Sequence, residues 1–322
     1  MVVIGSYSSD TNIFLAPMSG CTDLPFRLIA RQHGAKLCFF EMVDCNSLIN
    51  HSRNNHNFLQ CDPADRPIAA QLVGADPDDM VQGAKQLLGL VDVSFIDINA
   101  ACPVKKITKK KAGAYLLREP QALYKIIKKM AAAIPVPVTV KLRVGYEGYD
   151  RKEITGIAKQ CAKSGAAALF IHGRTRAQLY CGEINYKAIR AVKHSVKIPV
   201  FGSGNIFSPE LAAKMLAATD CDGITVARGA LGHPWIFQEI EHYLATGKTL
   251  PPVETEQKKA VLKQHLSYID KYKAIRPSSK VGLMRKAAIW YLKSFPHAAQ
   301  LRDKMTHSAT YEEILYNIEH HA

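Results

Sequence analysis

The sequence lacks the features that are typical of secreted, membrane-spanning and metal-binding proteins. No apolar run approaches the roughly 18 residues of a transmembrane helix, and residues 1–10 lack the basic flank and apolar block of a secretory signal. None of the eight cysteines forms a CxxC pair, and HxH and HExxH spacings of histidine do not occur. These absences argue against a disulfide framework and a zinc site. We therefore expect a cytoplasmic protein with no membrane segment and no metal.

Low-complexity repeats are also missing, because 20 Gly and 16 Pro are scattered without a period. With 322 residues, the chain is long enough for one large domain with an appendage, or for two domains. Positive charge is the feature present in excess: 42 Lys and Arg stand against 28 Asp and Glu, a net charge of +14. This surplus favours a polyanionic partner such as nucleic acid, but it is equally typical of a basic soluble enzyme.

Eight short apolar runs, rich in β-branched and aromatic residues, alternate with helical segments along residues 1–245. Continuous apolar runs are typical of strands buried on both faces of a parallel sheet. Eight such strands separated by helices predict an α/β fold, the (β/α)₈ TIM barrel. An open doubly wound sheet fits less well, since no GxGxxG turn follows the first strand. The predicted strands are Ile13–Met18, Leu37–Met42, Pro67–Val73, Phe95–Asn99, Val136–Leu142, Ala168–His172, Pro199–Gly202 and Gly223–Ala227.

Beyond the predicted barrel the strand-like runs stop. Residues 246–253 contain Gly247, Pro251 and Pro252 and are typical of a linker. Residues 254–272, 280–295 and 311–320 carry apolar stripes at helical spacing. We therefore predict a small, all-helical, basic domain over residues 254–322.

In a TIM barrel, function collects at the C-terminal ends of the strands, and polar residues recur there in this sequence. The loops after the seventh and eighth strands contain small residues, so their backbone N–H groups can approach a phosphate closely. Glycines that merely permit tight turns are the alternative. The predicted phosphate-binding residues are Ser203, Gly204, Asn205, Ala227 and Arg228.

Two further strand ends suit a nucleotide cofactor. Gln71 has an amide that donates and accepts at the edge of a heterocycle, and Lys141 would neutralise an anionic reduced ring. Lys141 could instead pair with Glu41 or Asp97. His172 is a candidate acid, base or cofactor contact, although a histidine at a strand end is as often a structural group.

Cys102 ends the segment DINAAC (97–102) after the fourth predicted strand, beside the expected cofactor. We interpret it as a general acid, and the other seven cysteines as small buried hydrophobic residues. A lysine-rich run follows, with no acid before Arg118. Such a run is usually a solvated face, but here it adjoins the mouth of the barrel, where cations attract a phosphate backbone. We predict nucleic-acid contacts from Lys105, Lys106, Lys109 and Lys110, extended by Arg143, Arg174 and Arg176.

Taken together, these motifs resemble the tRNA-dihydrouridine synthase (Dus) family, most closely its bacterial B-type branch. The likeness covers about residues 12 to 300 and follows the family's order. The matching segments are LAPMSG (15–20) with TD (22–23) and PFR (25–27), DIN (97–99) with CP (102–103), KLR (141–143), HGRT (172–175), SGNI (203–206), and ARGA (227–230) with PW (234–235).

The resemblance implies a flavin mononucleotide (FMN) enzyme that uses NADPH to reduce the C5–C6 double bond of particular uridines in tRNA. In that family hydride passes from reduced flavin to C6, and the motif cysteine, matched here by Cys102, protonates C5. Asn99 and Arg174 would lie near the target uracil. His172 would contact the flavin or the substrate. The implied flavin-ring contacts are Pro17, Met18, Ser19, Gln71 and Lys141, and the implied phosphate contacts are Ser203, Gly204, Asn205, Ala227 and Arg228.

The sequence departs from the family pattern in two places. Ala101 stands where the family usually has glycine, and a positive φ at that residue would be strained. Ser203 and Ala227 replace the usual Asn and Gly of the phosphate loops, changes that keep the backbone donors. Two other functions stay open: an FMN-dependent dehydrogenase of a free pyrimidine, of the dihydroorotate-dehydrogenase type, and a non-catalytic RNA-binding protein. We expect a monomer whose helical domain contacts the tRNA.

Overall fold

A closed barrel of eight parallel strands forms the centre of the computed structural model, which describes residues 1–52, 55–295 and 297–321. An antiparallel hairpin, β1 (Val2–Ile4) and β2 (Tyr7–Ser9), precedes it. The fold prediction is confirmed, and each of the eight apolar runs overlaps one barrel strand. These strands are β3 (Ile13–Leu15), β4 (Leu37–Asp44), β5 (Ile68–Val73), β6 (Ile96–Ala100), β7 (Val138–Arg143), β8 (Ala168–His172), β9 (Val200–Ser203) and β10 (Gly223–Val226).

Helices surround the barrel and return the chain from the end of one strand to the start of the next. Several begin at capping residues: Asp76 accepts hydrogen bonds from the N–H groups of Asp78 and Asp79, and Ser208 accepts one from Leu211. The helices are α1 (Leu24–Gln32), α2 (Cys45–Ile49), α3 (Asn55–Phe58), α4 (Pro77–Leu90), α5 (Lys105–Thr108), α6 (Pro120–Ala133), α7 (Arg151–Lys163), α8 (Tyr186–Lys193), α9 (Pro209–Thr219) and α10 (Ile236–Thr246).

Aromatic side chains fill the end of the barrel opposite the functional loops. The rings of Phe14 and Phe201 stack with centroids 4.7 Å apart, and those of Phe170 and Phe201 lie 4.8 Å apart. Ile4 of the hairpin is buried in the same cluster. This aromatic cluster fills that end of the barrel interior.

Four helices follow the barrel: α11 (Thr255–Tyr272), α12 (Pro277–Tyr291), α13 (Ala298–His307) and α14 (Tyr311–His321). They share a core that includes Leu262, Leu266, Met284 and Ile314, on which Trp235 of the barrel also packs. The sequence predicts three of these helices and misses α13, whose buried apolar residues are only Leu301 and Met305. Within the described residues, no helix is both long and apolar enough to cross a membrane.

The C-terminal helices contact the loop that follows β3. Lys273, after α11, forms a largely buried ion pair with Asp23 at 3.0 Å. Lys286 of α12 donates a hydrogen bond to the carbonyl of Gly20 at 2.6 Å, and the Glu41 carboxylate accepts the Gly20 N–H. The loop that carries Pro17, Met18 and Ser19 is therefore held from both the barrel and the helical region.

Candidate active site

A cavity of about 480 Å³ opens at the C-terminal ends of the barrel strands, a volume within the range of small-molecule sites. Every residue predicted to be catalytic or to contact the cofactor lines it, together with two of the predicted substrate contacts, Asn99 and Arg143. The fourteen predicted residues that meet there are Pro17, Met18, Ser19, Gln71, Asn99, Cys102, Lys141, Arg143, His172, Ser203, Gly204, Asn205, Ala227 and Arg228.

Six predicted substrate contacts lie outside the cavity lining. Arg174 is buried, at 2% exposure, beneath the loop after β8. The guanidinium of Arg176 lies 5.1 Å from the Tyr146 ring centroid. The other four, which are exposed on and just beyond α5, are Lys105, Lys106, Lys109 and Lys110. Because Cys102, Pro103 and Val104 line the cavity, these lysines follow its rim directly.

Sequence reasoning missed several lining residues. Cys21 and Cys61, which it treats as buried hydrophobic residues, are half-buried, and Cys181 is exposed, so the prediction of burial is wrong for these three. Cys21 also lines the cavity. Tyr180 and Phe207 lie outside the recognised motifs, beyond HGRT (172–175) and directly after SGNI (203–206). The remaining lining residues not predicted are Met42, Ala101, Pro103, Val104, Ile206, Thr225, Gly229 and Leu231.

A chain of hydrogen bonds connects the buried ends of β5, β6 and β7. The Thr139 hydroxyl donates to one oxygen of Asp97, and the Gln71 amide donates to the other, each at 2.7 Å. The Asn99 amide in turn donates to Gln71 Oε1 at 2.7 Å. Burial of Asp97 raises its pKa to about 6, although these donors and the Lys141 charge act in the opposite direction. The chain fixes the orientation of the Gln71 amide toward the cavity.

Asn99 also anchors the loop that carries the candidate acid. Its Oδ1 accepts the backbone N–H of Cys102 at 2.8 Å and that of Ala101 at 3.1 Å. Its side-chain amide donates to the Met42 sulfur as well as to Gln71 Oε1. Because protein groups engage both its donors and its acceptor, Asn99 serves as an anchor. Ala101 is not among the residues with positive φ, so alanine is unstrained where the family usually has glycine.

The Cys102 side chain is partly buried at the cavity wall. Burial raises the pKa of its thiol above the ordinary 9.0, while the backbone N–H of Val104 and the charge of Arg143 favour the thiolate to a smaller extent. A raised pKa keeps the thiol protonated at neutral pH, which is the state that a proton donor needs. Gly113 packs against the same residue, since a Cβ there would lie 2.8 Å from the Cys102 carbonyl oxygen.

Lys141 lies beside Asn99 in the barrel register. Burial lowers its pKa to about 8, against the attraction of Asp97. Among the described residues it forms no ion pair within 4.0 Å, and Glu41 instead accepts the Gly20 N–H. The alternative in which Lys141 is neutralised by direct pairing therefore lacks support, and its ammonium group faces the cavity with the charge available for a ligand.

Positive charge converges on His172. Burial and the nearby charges of Arg143, Lys141, Arg174 and Arg228 lower the pKa of this histidine well below 6.5, so its ring is neutral at physiological pH. Its Nδ1 is buried and has no hydrogen-bond partner in the part of the chain that the structure describes. No aspartate or glutamate is among the described residues that line the cavity. Such a site suits an anionic ligand that carries a hydrogen-bonding group.

The two predicted phosphate loops have backbones shaped for close approach. Gly204 and Asn205 have φ of 126° and 52°, the left-handed region that glycine and asparagine tolerate. A Cβ on Gly229 would lie 1.9 Å from the Ile206 carbonyl oxygen, so only glycine fits there. The Thr225 hydroxyl lines the cavity and is buried without a partner among the described residues. These features fit a bound phosphorylated ligand.

Arg143 and Arg174 both donate hydrogen bonds to one loop, residues 175–182, after β8. Arg143 donates to the carbonyls of Thr175 and Leu179, both at 2.8 Å, and to that of Ala101 at 2.7 Å. Arg174 donates to the carbonyls of Cys181 and Gly182 at 2.8 and 2.6 Å. Both buried arginines therefore shape the wall of the cavity, a role that the sequence did not reveal.

Comparison with known proteins agrees with this arrangement. The family model described as dihydrouridine synthase (Dus) matches residues 14–322. The chain is 40% identical to tRNA-dihydrouridine synthase B of Pseudomonas syringae pv. tomato, over 94% of this chain and 88% of that protein. It is 37% identical to the protein of the same name from Vibrio cholerae, over 93% and 92%. A probable tRNA-dihydrouridine synthase 1 of Synechocystis is 38% identical, over 94% and 84%.

Among solved structures, the old yellow enzyme from Trypanosoma cruzi superposes with a TM-score of 0.56 at 12% identity, covering 79% of this chain and 93% of that one. Histamine dehydrogenase from Rhizobium sp. 4-9 gives a TM-score of 0.56 at 14% identity, covering 75% and 47%. At such identity the likeness shows the barrel fold alone. Fold, site and relatives together define a flavin-dependent oxidoreductase built on a TIM barrel. Within that class, the chain belongs to the dihydrouridine synthase (Dus) family.

Proposed function

We propose that this protein is a tRNA-dihydrouridine synthase that uses FMN and NADPH to reduce the C5–C6 double bond of specific uridines in tRNA. The observation that carries the proposal is the placement of the Cys102 thiol in one cavity with Lys141 and two glycine-containing loops. The names of the relatives support tRNA as the substrate.

The residues present fit FMN in the cavity. Loops 203–205 and 227–229 would receive the phosphate, and Pro17, Met18 and Ser19 would lie along the ring. Lys141 and Gln71 would contact the ring's polar edge, and the unpartnered Nδ1 of His172 would find a hydrogen-bond partner there. When bound, FMN supplies the hydride for C6 of the uracil, and NADPH supplies the electrons that restore it.

The role of the chain itself is to bring the uracil into the cavity and to deliver a proton. The target base must leave its stack to reach Cys102. The Cys102 Sγ–H bond breaks as the proton moves to C5, hydride forms the new bond at C6, and the C5–C6 double bond becomes single. Solvent then reprotonates the thiolate. The hydrogen bonds from the Ala101 and Cys102 N–H groups to Asn99 hold the thiol in place during this step.

We further propose that residues 1–245 are the catalytic domain, 246–253 a linker and 254–322 a tRNA-binding domain, in a cytoplasmic monomer. The exposed lysines Lys105, Lys106, Lys109 and Lys110 at the cavity rim and the basic surplus of the C-terminal helices support contact with a phosphate backbone. The eight cysteines all lie in the described part of the chain and form no disulfide there, which is consistent with the proposed reducing compartment.

The test is to incubate the purified protein with FMN, NADPH and unmodified tRNA and to measure dihydrouridine by mass. We expect a gain confined to one or a few uridines. Cys102→Ala should retain flavin and its reduction by NADPH but lose most uridine reduction. A wild-type protein that reduces a free pyrimidine and leaves tRNA unchanged would overturn the proposal in favour of the free-pyrimidine dehydrogenase.

A further inference from the structure

Two aromatic rings stand exposed on the rim of the active-site cavity. Tyr180 is 52% exposed and Phe207 45% exposed, and both line the cavity. Tyr180 belongs to the loop after β8 and Phe207 to the loop after β9. Large exposed apolar side chains grouped at the mouth of a site are typical of a contact surface for a ligand or partner.

Arginine side chains hold these rings in position. The guanidinium carbon of Arg228 lies 5.3 Å from the Tyr180 ring centroid and 5.6 Å from that of Phe207, and that of Arg143 lies 5.8 Å from Tyr180. These separations are within the range of cation–π contacts. Arg228 thus connects the two rings, and the rim combines flat apolar surface with positive charge.

The backbone around Tyr180 is fixed as well. The carbonyls on either side of this residue, those of Leu179 and Cys181, accept hydrogen bonds from Arg143 and Arg174, each at 2.8 Å. Leu179 has a φ of 52°, a conformation that a non-glycine residue adopts only under such constraint. A ring on such a constrained loop is preorganised for binding, because the loop loses little conformational entropy when the ring contacts a ligand.

We propose that Tyr180 and Phe207, which both contact Arg228, form a stacking surface for the nucleobase that adjoins the target uridine in the tRNA. This inference rests on the proposed function. A uridine drawn out of its stack leaves its neighbour without a stacking partner. Aromatic side chains beside cations are the common replacement, because every base offers a flat π face.

The experiment compares Tyr180→Ala, Tyr180→Leu, Tyr180→Phe and Phe207→Ala in the FMN-loaded enzyme. Leu90→Ala is the control, since Leu90 is 50% exposed at the end of α4, which leads to the opposite end of the barrel. Two rates are measured separately: reduction of the flavin by NADPH without RNA, and single-turnover formation of dihydrouridine by the pre-reduced enzyme at increasing concentrations of full-length unmodified tRNA.

We expect Tyr180→Ala and Tyr180→Leu to raise the tRNA concentration for half-maximal turnover by about fivefold or more, the effect of losing one base stack. Phe207→Ala should do so as well, and Tyr180→Phe should restore it, because the ring and not the hydroxyl stacks. Leu90→Ala should match the wild type, and bound flavin, counted from its absorbance, should be unchanged in all variants.

Two results would overturn the inference. Equal tRNA dependence in Tyr180→Ala and the wild type would show that the ring stacks on no base. A selective loss in the rate of flavin reduction would show that the rings serve the nicotinamide. If the wild-type enzyme itself forms no dihydrouridine in tRNA, the proposed function fails first, which distinguishes that failure from a failure of the stacking surface.

Discussion

The anchoring role assigned to Asn99 yields a quantitative prediction. Replacing Asn99 by alanine removes the acceptor for two backbone N–H groups, those of Ala101 and Cys102, and the donor to Gln71 Oε1. Each buried polar group left without a partner costs about 1–3 kcal/mol. Because water in the cavity can reach part of the Cys102 loop, we expect the free energy of unfolding to fall by about 2–4 kcal/mol.

The same change should impair the chemistry more than the binding of the cofactor. A displacement of the acid by about 1 Å costs about 100-fold in rate, and the Cys102 loop loses its side-chain anchor in Asn99→Ala. We therefore expect single-turnover dihydrouridine formation to fall by about two orders of magnitude. Reduction of the bound flavin by NADPH should fall much less, because Cys102 has no part in that step.

The assay combines urea denaturation, flavin reduction and single-turnover dihydrouridine formation on the same protein. Asp76→Ala is the matched control, because Asp76 also accepts two backbone N–H groups, at 2.8 and 3.0 Å, but at the exposed start of α4. Asp76→Ala should lower the free energy of unfolding by about 1 kcal/mol and leave the activity unchanged. If Asn99→Ala formed dihydrouridine at the wild-type rate with wild-type stability, the anchor interpretation would be wrong.

Three further predictions concern the cofactor, the acid and the RNA. Gly229→Ala should lower the amount of bound FMN, measured by absorbance, because the new Cβ would clash with the Ile206 carbonyl oxygen. The control Gly148→Ala, which has open space around it, should not. Equal flavin content in the two variants would contradict the assignment of loop 227–229 to the phosphate. Dihydrouridine formation by pre-reduced enzyme should not rise with pH and should fall in the alkaline range, because the raised pKa of Cys102 keeps the acid protonated through neutral pH. A rate that rises from pH 7 to pH 9 would contradict a protonated thiol as the donor. Replacing Lys105, Lys106, Lys109 and Lys110 by alanine should reduce the slope of log affinity for tRNA against log salt concentration by roughly one unit for each phosphate that is no longer neutralised. The control, Lys152→Ala with Lys159→Ala on α7, should leave the slope unchanged. An unchanged slope in the fourfold variant would show that the lysine run is only a solvated face.

The barrel and most of its site can be predicted from the sequence, because both depend on local patterns of apolar and polar residues. Strands buried on two faces must be apolar throughout, so eight such runs with helices between them identify the fold. The C-terminal ends of barrel strands meet at one face, and this topological rule alone brings Cys102, Lys141 and His172 into one cavity. The family motifs then indicate the reaction, the reduction of uridine in tRNA. The short helix α13 escapes the same reasoning because its apolar stripe has only two buried residues.

The tertiary structure decided what each polar side chain touches. Arg143 and Arg174 look like substrate contacts in sequence, since both are cations at the functional end, but their donors bind backbone carbonyls of loop 175–182. Tyr180 and Phe207 belong to no motif, and only the packing of their loops on Arg228 brings them to the rim. A sequence pattern records which face a residue occupies, whereas its partners are distant in the chain and are set by how the loops close over the barrel.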